Sequence, residues 1–350
     1  MTKIYLIRHA EADGNIYRRA HGHFDGAVTQ NGFEQIKQLG KRFSREDISA
    51  VYSSDLLRAR MTASALSGPR GLEIIKTPML REVNIGEWED AAWGDIEHRD
   101  PVMCARFGDD PAMWAVEGSE RYADVQKRMK ECICGIGARH GGETVAAVSH
   151  GFAIRAFLCG LSGVPSYETH KIPYCDNTAV ALLVYDGGSL SVSFHGDNSH
   201  LHSEISTFAK QDWWRGKKEP VRENMRFEEA EPGRDAGFLR AHCGHVDLSG
   251  CEGRKYMIFL ADEPVGLFGL DMAWDDAGMI TCFVSARGDM RRNILVQMIG
   301  QAAACSRRHG KKRLLYEIDG DAATEELLTK HGFTNKGASG GKSVMEKKIS

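Results

Sequence analysis

Long apolar runs are missing from this chain of 350 residues. No stretch approaches the roughly 18 to 20 apolar residues of a membrane-spanning helix, so no membrane partner is expected. The opening MTKIYLIRHA lacks the basic and apolar regions of a secretory signal, and the expected location is cytoplasmic. Strong charge of one sign is missing too. With 45 Lys and Arg against 48 Asp and Glu, the net charge is −3 with histidine neutral. That balance offers neither the global basicity of a nucleic-acid binder nor the acidity of a disordered chain. Internal repeats and low-complexity tracts are absent. Nine cysteines, odd in number and scattered from Cys104 to Cys305, suit a reduced compartment better than a disulfide framework. Only Cys132 and Cys134 lie close together. No second pair completes a tetrahedral zinc site, so they read as packing thiols on a helix.

What is present is an ordinary soluble composition, 42% hydrophobic and 27% charged, with length for about two domains. From Lys3 to about His202, short apolar runs (KIYLIR, AVYSS, ETVAAVSHG) alternate with helical segments near Asn31 to Ser44 and from Leu56. This is the pattern of an α/β fold with a mainly parallel sheet between helices, whose ligands bind at the carboxyl ends of the strands. Two apolar runs flanking Asp186-Gly187-Gly188 predict an antiparallel hairpin closing this half. The charged segment from Ser206 to Arg226, with Pro220, reads as a helix and then a linker, and Trp213 and Trp214 should anchor it. The later order, strand, helix, three strands, a long helix from about Asp289 to His309, strand, helix, strand, is a separate α+β unit. The expected division is 1–205, a helical linker over 206–222, and 223–350.

The chemistry-bearing residues of the first half fall at strand ends. Arg8 and His9 follow the first strand, Arg58 the second, and His150 the strand TVAAVS, while LREVNIGEWE offers Glu82. Two guanidiniums, two imidazoles and one carboxyl suit a phosphate monoester. Its transfer is largely a matter of positioning and charge stabilisation by forked, permanent cations, the part for Arg8 and Arg58. A neutral His9 can attack phosphorus while Glu82 protonates the departing alkoxide and then activates water. A second imidazole, His150, made cationic by the phosphate beside it, would stabilise the equatorial oxygens.

In RHAEADGN, HGHFDGAVTQNGFEQ, SSDLLRARMTA, LREVNIGEWE, GSERYADV, VSHG and DNSHL, over about residues 1 to 202, the chain resembles the histidine phosphatase superfamily, the phosphoglycerate-mutase-like fold. The resemblance implies His9 as the phosphorylated nucleophile, Glu82 as proton donor, Arg8, Arg58 and His150 as the phosphate pocket, and Asn15 as a further hydrogen bond. It also implies no metal or cofactor for this half. Accordingly His21 and His23, two apart near Asp25, are expected to shape the pocket wall rather than hold a metal. Ala10 replaces the family's usual glycine, and His21-Gly22 its usual Gln-Gly; neither removes a charged group. Gly86 to Trp114, with Trp88, Trp93 and Trp114, is expected to cover the substrate. The same phosphohistidine serves a phosphatase or a mutase. The HGHFDGAVTQNGFEQ segment and the lack of a long insertion between Ser64 and Leu80 favour the phosphatase. The partner is then a small phosphorylated substrate, whose remainder the sequence does not name, and a homodimer is left open.

The element order after Asn224, with PVGLFGLDM and a late His331-Gly332-Phe333, resembles a GNAT-type N-acetyltransferase. The resemblance implies acetyl-CoA, its pyrophosphate on backbone N–H groups at the start of the long helix. The candidates for holding it are Val284, Arg291 and Arg292. The turn there reads Arg287-Gly288-Asp289-Met290-Arg291-Arg292, with Met290 and Arg292 where small residues are usual. Asp321 and Leu328 stand where that family has Asn and a proton-donating Tyr. Eight cations between Arg287 and Arg313 offer themselves to CoA phosphates. The alternative is a non-catalytic module that docks a partner, senses an acyl-CoA or buries a dimer interface.

Overall fold

The computed structural model describes residues 1–211, 223–231, 233–244, 253–339 and 342–349. Trp213, Trp214, Pro220 and most of the expected linker lie outside the described residues. Two compact units emerge. The first comprises Met1–Asn15, Ala20–Glu89 and Asp100–Val221; the second comprises Ile16–Arg19, Asp90–Arg99 and Arg222–Ser350. Two short segments that the sequence division put in the first half therefore belong to the second unit.

The first unit carries six strands: β1 (Thr2–Arg8), β2 (Ala50–Ser53), β3 (Ile74–Lys76), β4 (Thr144–Ser149), β5 (Val180–Asp186) and β6 (Ser189–Asp197). Their order is β3-β2-β4-β1-β5-β6. The first four run parallel, while β5 is antiparallel to β1 and β6 to β5, so the sheet is mixed. Gly187 and Gly188 both have positive φ, at 55° and 92°, which lets two residues reverse the chain with the twist of the strands. The parallel strands are apolar because both faces are covered. On one face Ile7, Val51, Ala146 and Val148 pack with Leu39, Ala63 and Leu66 of the helices Gln30–Arg42 and Leu57–Ser67. The helices Tyr122–Arg139 and Gly151–Leu161 take the other face. Thr29 caps Gln30–Arg42 by accepting the Gly32 N–H.

The second unit is a seven-stranded sheet: β7 (Met225–Glu229), β8 (Arg254–Leu260), β9 (Glu263–Asp271), β10 (Ala277–Ser285), β11 (Arg313–Ile318), β12 (Thr334–Ser339) and β13 (Lys342–Lys348), in the order β12-β13-β11-β10-β9-β8-β7. Among the described residues of this unit only β10 and β11 pair in parallel, over Ala277 to Ile280 against Arg313 to Tyr316. Past that point β10 continues beside β9 to Ser285, with a register shift between Ile280 and Cys282, and leaves β11 behind. Gly269 faces the bulge, where a Cβ would stand 2.3 Å from Thr281 Oγ1. The long helix Arg291–Arg308 buries Ile294, Leu295, Met298, Ile299 and Ala302 in a core that also holds Tyr17 and Ala92. Strand β12 is absent from the expectation because TNKGAS has no apolar alternation; pairing with β13 at the sheet edge makes it a strand. No helix among the described residues is long and apolar enough to cross a membrane.

Candidate active site

The parallel register places the two histidines. Arg8 pairs with Ser149, so the next residues, His9 and His150, leave adjacent strands side by side at their carboxyl ends, and the His9 N–H still donates to Ser149 O at 2.9 Å. The imidazole centroids are 5.1 Å apart. His9 Nδ1 lies 2.7 Å from Ala10 O; a carbonyl only accepts, so Nδ1 carries the hydrogen and Nε2 keeps its lone pair. Asn177 Nδ2 donates to the His9 carbonyl at 3.0 Å, fixing the loop from behind.

Arg8, His9, Arg58 and His150 are all buried. The guanidinium of Arg58 donates to the carbonyls of Phe24, at 2.8 Å, and Gly22, at 2.7 Å. That of Arg8 donates to Cys175 O, while its Nε and both ring nitrogens of His150 have no hydrogen-bond partner among the described residues. Both guanidiniums hydrogen-bond carbonyls rather than carboxylates, and the carboxylates near them, Glu82 and Asp176 for Arg8 and Glu82, Asp25 and Glu89 for Arg58, act only through their charge, unlike the contacts of a structural ion pair. Burial, then Arg58 and Arg8, hold the His9 imidazole well below its usual range; burial, then Arg58 and His9, do the same to His150. With the protein's own groups alone both rings are neutral. The expected cationic His150 therefore requires the phosphate dianion itself to supply the opposing charge.

Glu82 sits against the start of the helix Gly151–Leu161, accepting the N–H of Ala153 at 2.8 Å, of Phe152 at 3.1 Å and of Val83 at 3.0 Å. Its charge acts on both Arg8 and Arg58. Asn15 Oδ1 accepts the Ala12 N–H at 3.0 Å and lies 3.4 Å from Asn177 Nδ2, which bonds the His9 carbonyl. Arg8, His9, Arg58, Glu82 and His150 thus converge, with Asn15 linked to His9 through Asn177. His21 and His23 serve the wall: His23 Nε2 meets Glu82 O at 3.0 Å, and the His21 ring packs on Phe24 with centroids 4.6 Å apart. Asp25 caps the N–H of Leu57 at 2.6 Å.

Glu89 closes the LREVNIGEWE segment, where the sequence assigned it no role. Its carboxylate accepts the N–H groups of Gly22, His23 and Phe24 at 3.2, 2.6 and 2.9 Å, holding the loop whose carbonyls position Arg58. Gly22 is required there, since a Cβ would come within 2.3 Å of Val83 O. The expected cover over Gly86 to Trp114 divides: Gly86–Glu89 and residues from Asp100 belong to this unit, whereas Trp93 belongs to the other. Trp88 and Trp114 are fully buried packing residues.

A family model described as the histidine phosphatase superfamily, branch 1, matches residues 4–198, more than half of the chain. The chain belongs to the histidine phosphatase superfamily. Phosphoserine phosphatase 1 of Hydrogenobacter thermophilus is 31% identical over 183 residues, 52% of this chain and 86% of that protein. Phosphoglycerate mutase-like protein 4 of Arabidopsis thaliana is 30% identical over 204 residues, 57% of this chain and 87% of that one. Among solved structures, Bacillus stearothermophilus YhfR superposes with a TM-score of 0.55 at 34% identity, over 57% of this chain and 99% of that one. Membership of this superfamily makes the chain a phosphatase or mutase enzyme.

In the second unit Val284 lies near the end of β10, and Arg291 and Arg292 open the helix Arg291–Arg308, both exposed. Arg291 stacks over the Phe283 ring at 5.2 Å. The eight cations do not form one patch. Arg287 is taken by Asp289 at 3.1 Å, Arg307 by Asp90 at 2.8 Å, and Arg313 by Asp276 and Glu346. Arg307 also lies in the last turn of the helix that Arg291 begins, about 24 Å along its axis.

Proposed function

We propose that the chain is a metal-independent phosphomonoesterase acting through a phosphohistidine on a small phosphorylated metabolite. The observation that carries it is the buried set Arg8, Arg58 and His150, whose cations face carbonyls and whose ring nitrogens lack partners. A phosphoryl dianion would fill that need. His9 Nε2 attacks phosphorus; the N–P bond forms as the P–O bond to the substrate breaks, and Glu82 gives its proton to the leaving alkoxide. Glu82 then takes a proton from water, the hydroxide attacks the phosphohistidine, and inorganic phosphate leaves with His9 restored. Arg8, Arg58 and His150, with Asn15 beside them, hold the equatorial oxygens. Hydrolysis is favoured over transfer by the compactness between Ser64 and Leu80: a helix end, one turn and a short edge strand. The mutase reading keeps the same residues and a second hydroxyl.

For the second unit the proposal is a GNAT-like acetyl-CoA-binding module. The parting of β10 from β11 and the bulge at Thr281 support it, as do Val284 near the end of β10 and Arg291 and Arg292 at the start of the long helix. The missing Tyr at Leu328 favours binding over acetyl transfer. A homodimer stays an expectation.

Phosphate release from a panel of phosphorylated metabolites, with EDTA present, tests the first reading in the full chain. His9-dependent release is expected; no release from any compound sinks it. Thermal shift with acetyl-CoA tests the second. A dose-dependent rise is expected, and none at millimolar ligand overturns it.

A further inference from the structure

We infer that the leaving group accepted by the first unit is apolar and aromatic rather than carboxylated, an inference that rests on the phosphomonoesterase reading. The proton donor fixes the direction. A leaving oxygen protonated by Glu82 must point at that carboxyl, so the rest of the substrate extends past it. Beside that carboxyl stands Phe152, whose N–H is bonded to Glu82 at 3.1 Å. Its ring stacks on Phe107, with centroids 4.8 Å apart and planes 16° from parallel. Behind them Trp114 meets Phe107 at 5.0 Å, and Tyr122 meets Phe152 at 6.0 Å. Trp114 is fully buried, whereas Phe107 and Phe152 are partly exposed and offer aromatic surface. Met113 and Tyr167, each more than half exposed, extend the apolar character, and their segments are joined by the bond from Ser166 to Asp110.

A carboxylate on the leaving group would instead need an available cation. The two arginines flanking Glu82 are committed: Arg81 holds Asp55 at 2.6 and 2.5 Å, and Arg128 holds Glu120 at 2.6 and 2.9 Å. Arg106, next to Phe107, donates to Met113 O at 3.4 Å. Stacking on an aromatic face, not ion pairing, is what this wall supplies.

The test compares kcat/KM of the full chain for 2-phenylethyl phosphate and phosphoserine. Both release alkoxides, so Glu82 does similar work on each. The phenylethyl ester is expected to win by about tenfold. In Phe152→Ala and Phe107→Leu the ratio of the two values is expected to fall toward unity; a ratio within one enzyme is insensitive to loss of folded protein. Preference for phosphoserine that Arg106→Gln removes overturns the inference while His9-dependent release keeps the phosphatase reading. No His9-dependent release from either ester overturns both.

Discussion

Two clusters of basic side chains, one in each unit, differ in what holds them. In the first, Arg8 and Arg58 are buried and fixed by carbonyls that are themselves fixed, one of them through Glu89. In the second, Arg291 and Arg292 stand exposed at a helix start. A buried guanidinium held by carbonyls, with carboxylates near it but none bonded to it, is placed to bond an incoming anion, so the first cluster reads as a built site. An exposed one costs nothing to leave in water and implies only modest, screened attraction.

The largest break in this comparison is His9→Ala, expected to lower phosphate release by at least about 10³-fold, because both chemical steps pass through that nitrogen. Single-turnover labelling should show no phosphoenzyme. Next is Glu89→Ala, which frees four N–H groups, those of Gly22, His23, Phe24 and Ile85, and lets the Arg58 carbonyls drift. A loss of about 10²-fold in kcat/KM is expected, with Glu89→Gln keeping more activity than Ala and thermal melting separating misplacement from unfolding. Equal activity in Ala and Gln variants, both near wild type, would remove the clamp from the account. The histidines give a pH effect. Folding holds both imidazoles below the unfolded value of about 6.5, so the unfolded chain takes up protons first and stability falls as pH drops through that value. His150→Gln should flatten the fall by at most about 1.4 kcal/mol per pH unit, read from denaturant titrations at pH 5 to 7. Smallest is Arg292→Glu, expected to weaken acetyl-CoA by about fivefold and to lose even that in high salt.

Much of the phosphate pocket was legible because strand ends are marked by apolar runs that stop: Arg8, Arg58 and His150 each follow one. Glu89 was not, since it works through backbone N–H groups, which no side-chain pattern announces. Asn177 likewise contacts His9 through a carbonyl, across 168 positions of chain. The hairpin at Gly187-Gly188 was readable from local turn chemistry, whereas β12 depends on a partner strand. The eight cations looked like a patch in one dimension, and the helix carries Arg291 and Arg307 to opposite ends.

The composition of the second unit has a consequence for synthesis. Asp90 accepts both Arg19 and Arg307, and Asp95 accepts the Phe227 N–H at 2.8 Å, all within that unit. Residues translated early must therefore wait, exposed on the nascent chain, for partners more than a hundred codons downstream. Residues 223 onward by themselves lack the Asp90 partner of Arg307 and the Asp95 partner of the Phe227 N–H; the second unit is completed by segments translated more than a hundred codons earlier.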